Sequence, residues 1–300
     1  MTGLPENHRQ DRPTPDADPD ETAPLPLRGR IGDAAASGYW PAPGRYRLHV
    51  SLSCPDCLGL AVIHRLRGLD AVVDLCELPD PPAPDGHYPQ LGAAYRASAH
   101  GYAGPFTAPL LEDGWTGRGV SNQLPEIGRD LARRFGHDGP ELYPEWAAPR
   151  IAAIEELCAH GINEPAQRAG LPAPAPDRAA ALRRLLANLA ELEHRLRAHR
   201  FVLGEELTAA DVQVFATLLW LDLVHRWHLD ADAVHEIAGY RALWSYARRL
   251  LELPAFHTDL RADRVERRHH QGCRGSEDAG AAVRIIDWSR HRVAAAPRKR

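Results

Sequence analysis

The feature that most constrains the fold of this chain is a pair of cysteines, Cys54 and Cys57, between two apolar runs. The run before the pair, residues 46–53, is strand-like, and the run after it, residues 58–66, is helix-like and closed by Gly68. The first amides of a helix lack partners and favour an anion. For a thiol that anion is the thiolate, its reactive form. The sequence therefore predicts a strand-turn-helix unit with a reactive thiol at the start of the helix.

Composition narrows the class of protein. A length of 300 residues allows two modest domains, and an apolar fraction of 44% supports sizeable cores. A net charge of −4 gives no signature of nucleic-acid or membrane binding. No apolar run approaches about 20 residues, and the polar, proline-rich N-terminus does not resemble a secretory signal. We expect a cytoplasmic protein without nucleic-acid or membrane partners.

The five cysteines are too few and too scattered for a disulfide scaffold. In a reducing compartment, a CxxC pair indicates redox or metal chemistry. Redox chemistry is favoured, because a zinc ion would need two further ligands. Cys76 and Cys158 are expected in the core. The histidines and cysteine of the arginine-rich tail, His269, His270 and Cys273, are expected to face solvent, and no metal site is predicted.

The regular pattern of the first half is typical of a thioredoxin-like domain, which we place at residues 27–139 after a disordered tail, residues 1–26. Pro109 falls at the start of the third strand, which indicates an edge, a strand start or a cis bond. The predicted order is strand 46–53, helix 57–69, strand 71–77, loop 79–105, strand 106–111, strand 115–120 and helix 124–135.

The second half has helical periodicity and is predicted to form an α-helical domain over residues 140–262, followed by an extension, residues 263–300. Leucines spaced three and four apart define an amphipathic helix over residues 178–199. Thr208 and Asp211 have capping-box spacing at the start of an apolar, buried helix. Further helices are predicted over residues 145–160 and 240–252. Trp220 and Trp244 are assigned to the core.

Four separated blocks resemble the glutathione transferase superfamily, and most closely its xi class, the glutathionyl-hydroquinone reductases. These blocks are residues 43–55, 120–127, 201–212, and 240–246 together with 253–256. The resemblance spans about residues 27–270. It implies an N-terminal thioredoxin-like domain packed on a helical C-terminal domain, and a homodimer.

The resemblance also implies site residues. Cys54 is the implied nucleophile, which attacks the sulfur of a glutathionyl-hydroquinone and forms a mixed disulfide that a second glutathione resolves. Pro55 and Pro109 match family positions, and Pro109 is implied to be a cis proline beside the thiol. The backbone of Ala108 is implied to pair with the cysteinyl amide of a bound tripeptide.

The chain departs from the family pattern at the thiol and at the glutathione site. Asp56-Cys57 replaces a usual Trp-Ala, and Gln123 and Leu124 replace the Glu-Ser pair that holds the γ-glutamyl end. Losing two charge-assisted contacts costs on the order of 3 kcal/mol of binding free energy. Glu126 either approaches that site or is a solvated residue at the start of a helix. The quinone-pocket tyrosines are also replaced, by Gln167 and His269-His270.

These changes suggest a thiol-dependent redox enzyme in which Cys57 resolves the mixed disulfide. Its co-substrate is glutathione or another low-molecular-weight thiol such as mycothiol, and its other substrate is a small, quinone-like electrophile. The alternative is a non-catalytic binding or scaffold protein that keeps the fold.

Overall fold

The computed structural model describes residues 25–32, 38–80, 82–83, 86–136, 139–273 and 284–289. Residues 1–24 of the predicted disordered tail lie outside these ranges. The first half contains, in chain order, β1 (Tyr46–Val50), α1 (Pro55–Leu66), β2 (Val73–Glu77), α2 (Gly92–Ser98), β3 (Leu110–Asp113), β4 (Arg118–Ser121) and α3 (Leu124–Arg134).

The four strands form one sheet in the order β2-β1-β3-β4. β1 and β2 are parallel, with His49 opposite Cys76, whereas β1–β3 and β3–β4 are antiparallel. This mixed sheet with flanking helices confirms the predicted thioredoxin-like fold. β1 is buried at alternate positions, Tyr46, Leu48 and Val50, as a strand with one face on a core requires.

Several boundaries differ from the sequence prediction: β1 ends at Val50 and not at residue 53, and β3 begins at Leu110 and not at residue 106. α1 ends at Leu66, because Gly68 adopts a left-handed conformation, φ 61°, just past the helix end. The segment predicted as a loop, residues 79–105, contains α2, so that prediction is wrong. α2 has only seven residues, of which Gly92, Ala94 and Tyr95 are buried. A helix this short has no amphipathic period to detect.

The second half is helical, as predicted. It contains α4 (Ala148–Glu156), α5 (Glu164–Gly170), α6 (Ala175–Ala198), α7 (Ala209–Leu223), α8 (Ala231–Ala238), α9 (Arg241–Leu251), α10 (Pro254–His257) and α11 (Ala262–Gly272). A π-helical turn, Leu157–Asn163, joins α4 to α5, so the helix predicted over residues 145–160 continues to Gly170.

α7 is the central helix of this half and packs directly on α1. Asp211 accepts a hydrogen bond from the Thr208 backbone N–H at 2.8 Å, completing the predicted capping box. Every residue of α7 is buried except Gln213 and Trp220. The chain thus forms a thioredoxin-like half and a helical half that share one core, which confirms the predicted fold class. The exact division between residues 139 and 140 remains a prediction. None of the helices that the structure describes combines the length and the apolar character needed to cross a membrane.

Candidate active site

Cys54 occupies the N-cap of α1, and its own conformation is extended. Pro55 begins the helix, at a position where the missing N–H removes no hydrogen bond. Cys57 lies one turn further along and is completely buried, whereas Cys54 is half-buried. The predicted βα turn therefore presents one accessible thiol and one inaccessible thiol.

The two thiols are hydrogen-bonded to each other. This hydrogen bond is the main reason that the pKa of Cys54 is lowered, and the Cys57 backbone N–H and the positive charge of Arg268 also contribute. Burial and the Asp56 carboxylate act in the opposite direction without reversing it. The same hydrogen bond, with burial, holds the pKa of Cys57 well above its ordinary value. Cys54 is therefore the thiol of the pair that favours the anionic form.

Arg268 comes from α11 and joins the two halves of the protein at this site. Its Nη1 donates to Ser51 Oγ at 3.0 Å, to Ser53 Oγ at 3.2 Å and to Tyr88 Oη at 3.1 Å. Ser53 in turn donates to Asp80 Oδ1 at 2.5 Å. A cation is thus fixed beside the turn that carries Cys54.

A cavity of about 300 Å³ opens at Cys54. Its lining comes from three places: the turn before α1, the end of α7, and one face of α11. The residues are Ser53, Cys54, Pro55, Trp220, Val224, Val265, Arg268, His269 and Cys273. Four of the nine belong to the segment predicted as a C-terminal extension.

Two sequence predictions are wrong at this cavity. Trp220 was assigned to the core but lines the cavity instead. His269 and Cys273 were expected to face solvent, yet both are half-buried in the cavity wall, while His270 is exposed as predicted. The spacing of residues 265, 268, 269 and 273, three and four apart on one helix face, is the signal that could have grouped them.

The remaining predicted site residues are not among those that line this cavity. The Ala108–Pro109 peptide is cis, as the resemblance implied. Gln123 precedes α3 and donates to Asn122 Oδ1 at 2.6 Å. Glu126, in the first turn of α3, pairs with Arg28 at 3.1 Å and accepts from Ser121 Oγ at 3.4 Å. Neither Gln123 nor Glu126 lines the cavity. Gln167, on α5, is exposed.

Residues 174–249 match the family model of the glutathione S-transferase C-terminal domain. The chain is 27% identical over 283 residues to glutathionyl-hydroquinone reductase YqjG of Escherichia coli, covering 88% of this chain and 86% of that protein. It is also 27% identical over 222 residues to glutathionyl-hydroquinone reductase PcpF of Sphingobium chlorophenolicum, covering 68% and 71%.

Solved structures show the same architecture. The glutathione-bound structure of YqjG superposes with a TM-score of 0.72 at 23% identity, covering 82% of this chain and 88% of that one. An xi class glutathione S-transferase from Natrialba magadii superposes with a TM-score of 0.74 at 24% identity, covering 89% and 88%. These structures confirm the arrangement of the two halves.

Proposed function

The chain belongs to the glutathione S-transferase superfamily, with xi-class proteins among its relatives, and on this premise we propose that it is a thiol-dependent reductase in which Cys54 is the nucleophile. The observation that carries the proposal is the half-buried Cys54, with its lowered pKa, at the mouth of a cavity of about 300 Å³. A nucleophile needs a thiol that ionises readily and access to its substrate, and of the CxxC pair it is Cys54 that has a lowered pKa and lines the cavity.

The first step of the proposed reaction is attack by the Cys54 thiolate on the sulfur of a small thioether or mixed disulfide. With an aryl thioether of a quinone-like compound, the new bond joins Cys54 Sγ to the thiol's sulfur and the carbon–sulfur bond breaks. Its electron pair stays on the ring carbon, which takes a proton from water. The products are the free hydroquinone and a mixed disulfide on Cys54. Trp220 and Val224 supply an apolar cavity wall suited to a ring.

The second step uses Cys57, which is three residues away and already in contact with Cys54 Sγ. After losing its proton to water, Cys57 attacks Cys54 Sγ and releases the small thiol as its thiolate. The product is a Cys54–Cys57 disulfide, and two molecules of a low-molecular-weight thiol reduce it and become a disulfide themselves. The raised pKa keeps Cys57 protonated, and therefore a hydrogen-bond donor, until the mixed disulfide forms.

Which small thiol the protein binds depends on the side chains available at the start of α3. Two relatives are glutathionyl-hydroquinone reductases, and the solved structure of YqjG has glutathione bound. In this chain the amide of Gln123 is engaged with Asn122, and Leu124 offers no hydrogen bond. The Glu126 carboxylate is already neutralised by Arg28. We therefore expect glutathione to bind weakly, and a thiol with a different polar end, such as mycothiol, to be used better.

The test is turnover of a thioether-linked hydroquinone, with either glutathione or mycothiol as the reductant. Cys54→Ser should abolish reduction with both thiols, because no other thiol of the CxxC pair is accessible. Cys57→Ser should accumulate a mixed disulfide on Cys54, visible as an added thiol mass in the intact protein. The matched control is Cys76→Ser, which removes a half-buried thiol on β2 and should leave turnover unchanged.

Three outcomes would count against the proposal. If Cys57→Ser turns over at the normal rate, resolution inside the protein is wrong and a second small thiol resolves Cys54. If Cys54→Ser retains full activity, the nucleophile is wrong. If the unmodified protein reduces no thioether or mixed disulfide and Cys54 titrates at or above the ordinary thiol value of about 8.5, the chain is a scaffold protein. The homodimer stays a prediction, which light scattering on the purified protein would check.

A further inference from the structure

A second cluster of chemically reactive side chains lies beside the same cavity, outside the CxxC pair, and two of its three residues line that cavity. It consists of His228, His269 and Cys273, and all three are half-buried. His228 Nε2 lies 2.9 Å from His269 Nε2 and 3.3 Å from Cys273 Sγ. Each residue thus offers one potential ligand atom, and the three atoms lie within 4.8 Å of one another.

The fold brings these residues together from two elements. His228 ends the short helical turn, His225–His228, that follows α7. His269 lies in the last turn of α11, and Cys273 follows that helix directly. The backbone N–H of Cys273 donates to the His269 carbonyl at 2.8 Å, so the two residues, four apart, lie close together at the end of α11. The same spacing serves metal-binding pairs on helices because both side chains then reach one point.

We propose that His228, His269 and Cys273 form a binding site for a zinc-type transition-metal ion. Two imidazole nitrogens and one thiolate are ligands that zinc accepts, and three protein ligands leave the fourth tetrahedral position open.

The observed distances suit this ion after a small adjustment. With zinc–nitrogen bonds of about 2.05 Å and a zinc–sulfur bond of about 2.3 Å, tetrahedral ligand atoms lie roughly 3.3–3.6 Å apart. The two short distances in the cluster need to lengthen by a few tenths of an ångström, which side-chain rotation supplies. On binding, Cys273 releases its thiol proton to water, while both imidazoles bind in their neutral form.

The fourth coordination position of the proposed ion lies next to the cavity at Cys54. His269 and Cys273 line the cavity that also exposes Cys54. The fourth ligand would therefore come from that cavity. It would be water, the thiolate sulfur of a bound molecule, or the phenolate oxygen of a bound molecule. Binding of the ion requires none of the chemistry proposed for Cys54 and Cys57, so this site can be tested without the reductase assay.

The test is titration of the full chain with Co²⁺ after chelator treatment, under reducing conditions. Bound Co²⁺ should give the visible bands of a tetrahedral ion and a near-ultraviolet band from a thiolate ligand, and Zn²⁺ should remove both. Cys273→Ser should abolish the thiolate band, and His269→Ala should weaken binding about tenfold or more. The controls are Cys76→Ser on β2 and His235→Gln, an exposed residue on α8, and both should titrate like the unmodified chain.

Two results would overturn the site. One is a thiolate band that survives Cys273→Ser but disappears in Cys54→Ser, since the CxxC pair would then hold the ion. The other is the absence of any Co²⁺ spectrum in the unmodified chain. A measurement that needs no variant completes the test: Zn²⁺ should protect Cys273 from alkylation, as read by peptide mass mapping. Equal labelling of Cys273 with and without Zn²⁺ would also reject the proposal.

Discussion

At the scale of single residues, one hydrogen bond between Cys54 and Cys57 gives two chemically similar groups opposite behaviour. Its main effect on Cys54 is to lower the pKa, because it stabilises the thiolate as an acceptor. On Cys57 it raises the pKa, because the proton that forms the bond must be kept. The Asp56 carboxylate works against both ionisations.

Removing the donor should therefore raise the pKa of Cys54. Cys57→Ala deletes the S–H group, so a smaller fraction of Cys54 is ionised at neutral pH, and alkylation should reach half its maximal rate at a higher pH. Cys57→Ser keeps a donor at the same place and should shift the profile less. The measurement is the rate of iodoacetamide modification as a function of pH. Superimposable profiles for the three proteins would show that the thiol–thiol contact does not tune Cys54.

At the scale of elements, α11 forms one wall of the cavity beside Cys54. It carries the cavity-lining residues Val265, Arg268 and His269, and Cys273 follows it. It is attached to the first half by Arg268, and by Arg264, which pairs with Glu77 at 2.5 Å. Since each ion pair of this partly exposed kind contributes little alone, the attachment depends on several polar contacts acting together.

Replacing Arg268 should affect both the charge and the closure of the site. Arg268→Met removes a cation that lowers the pKa of Cys54, so the alkylation midpoint should move to higher pH. It also removes three hydrogen bonds to Ser51, Ser53 and Tyr88, so the maximal alkylation rate at high pH should increase as the cavity opens.

The matched control is Arg267→Met on the same helix. Arg267 is exposed and pairs with Asp263 within α11. In the Arg267→Met protein we expect the pH midpoint and the maximal rate of Cys54 alkylation to equal those of the unmodified chain. If Arg267→Met and Arg268→Met behave alike, the effect belongs to net charge on the helix and not to the contact across the site.

At the scale of the whole molecule, Asp222 on α7 attaches the segment 284–289 to the core. This fully buried carboxylate accepts from the backbone N–H of Ile285 at 2.9 Å and from the Trp288 indole N–H at 2.8 Å. It also pairs with Arg226, itself buried, at 3.1 Å. Trp288 in turn packs edge-on against Phe215 of α7. A chain segment remote in sequence thereby becomes part of the core.

Asp222→Ala should lower the free energy of unfolding by about 3–5 kcal/mol, because it removes the carboxylate that pairs with the buried Arg226 and accepts from Ile285 and Trp288. Urea unfolding followed by circular dichroism measures this change. Asp232→Ala, at an exposed position in the first turn of α8, serves as the control and should change it by less than about 1 kcal/mol. A loss as small as the control's would mean that the segment 284–289 contributes little to stability.

The sequence predicted the elements whose signals are local. β1 and α1 follow from apolar runs around Cys54, α6 from its leucine spacing, and α7 from its capping box. Prediction failed where a role depends on what a residue faces in three dimensions. Trp220 has the same apolar neighbours in sequence as a core residue, and His269 has the composition of a solvated tail. Only the packing of α11 across α7 and the turn before α1 assigns both to the cavity.

The contact between Arg268 and Ser51 joins residues 217 positions apart. On a ribosome that adds about 5–20 residues per second, the segment bearing Cys54 is made roughly ten to forty seconds before the helix that covers it. During that interval the nascent chain carries the thiol without its guanidinium neighbour and without the cavity wall that α11 supplies. Cys54 therefore acquires its complete cavity, and the charge that lowers its pKa, only after α11 has been made.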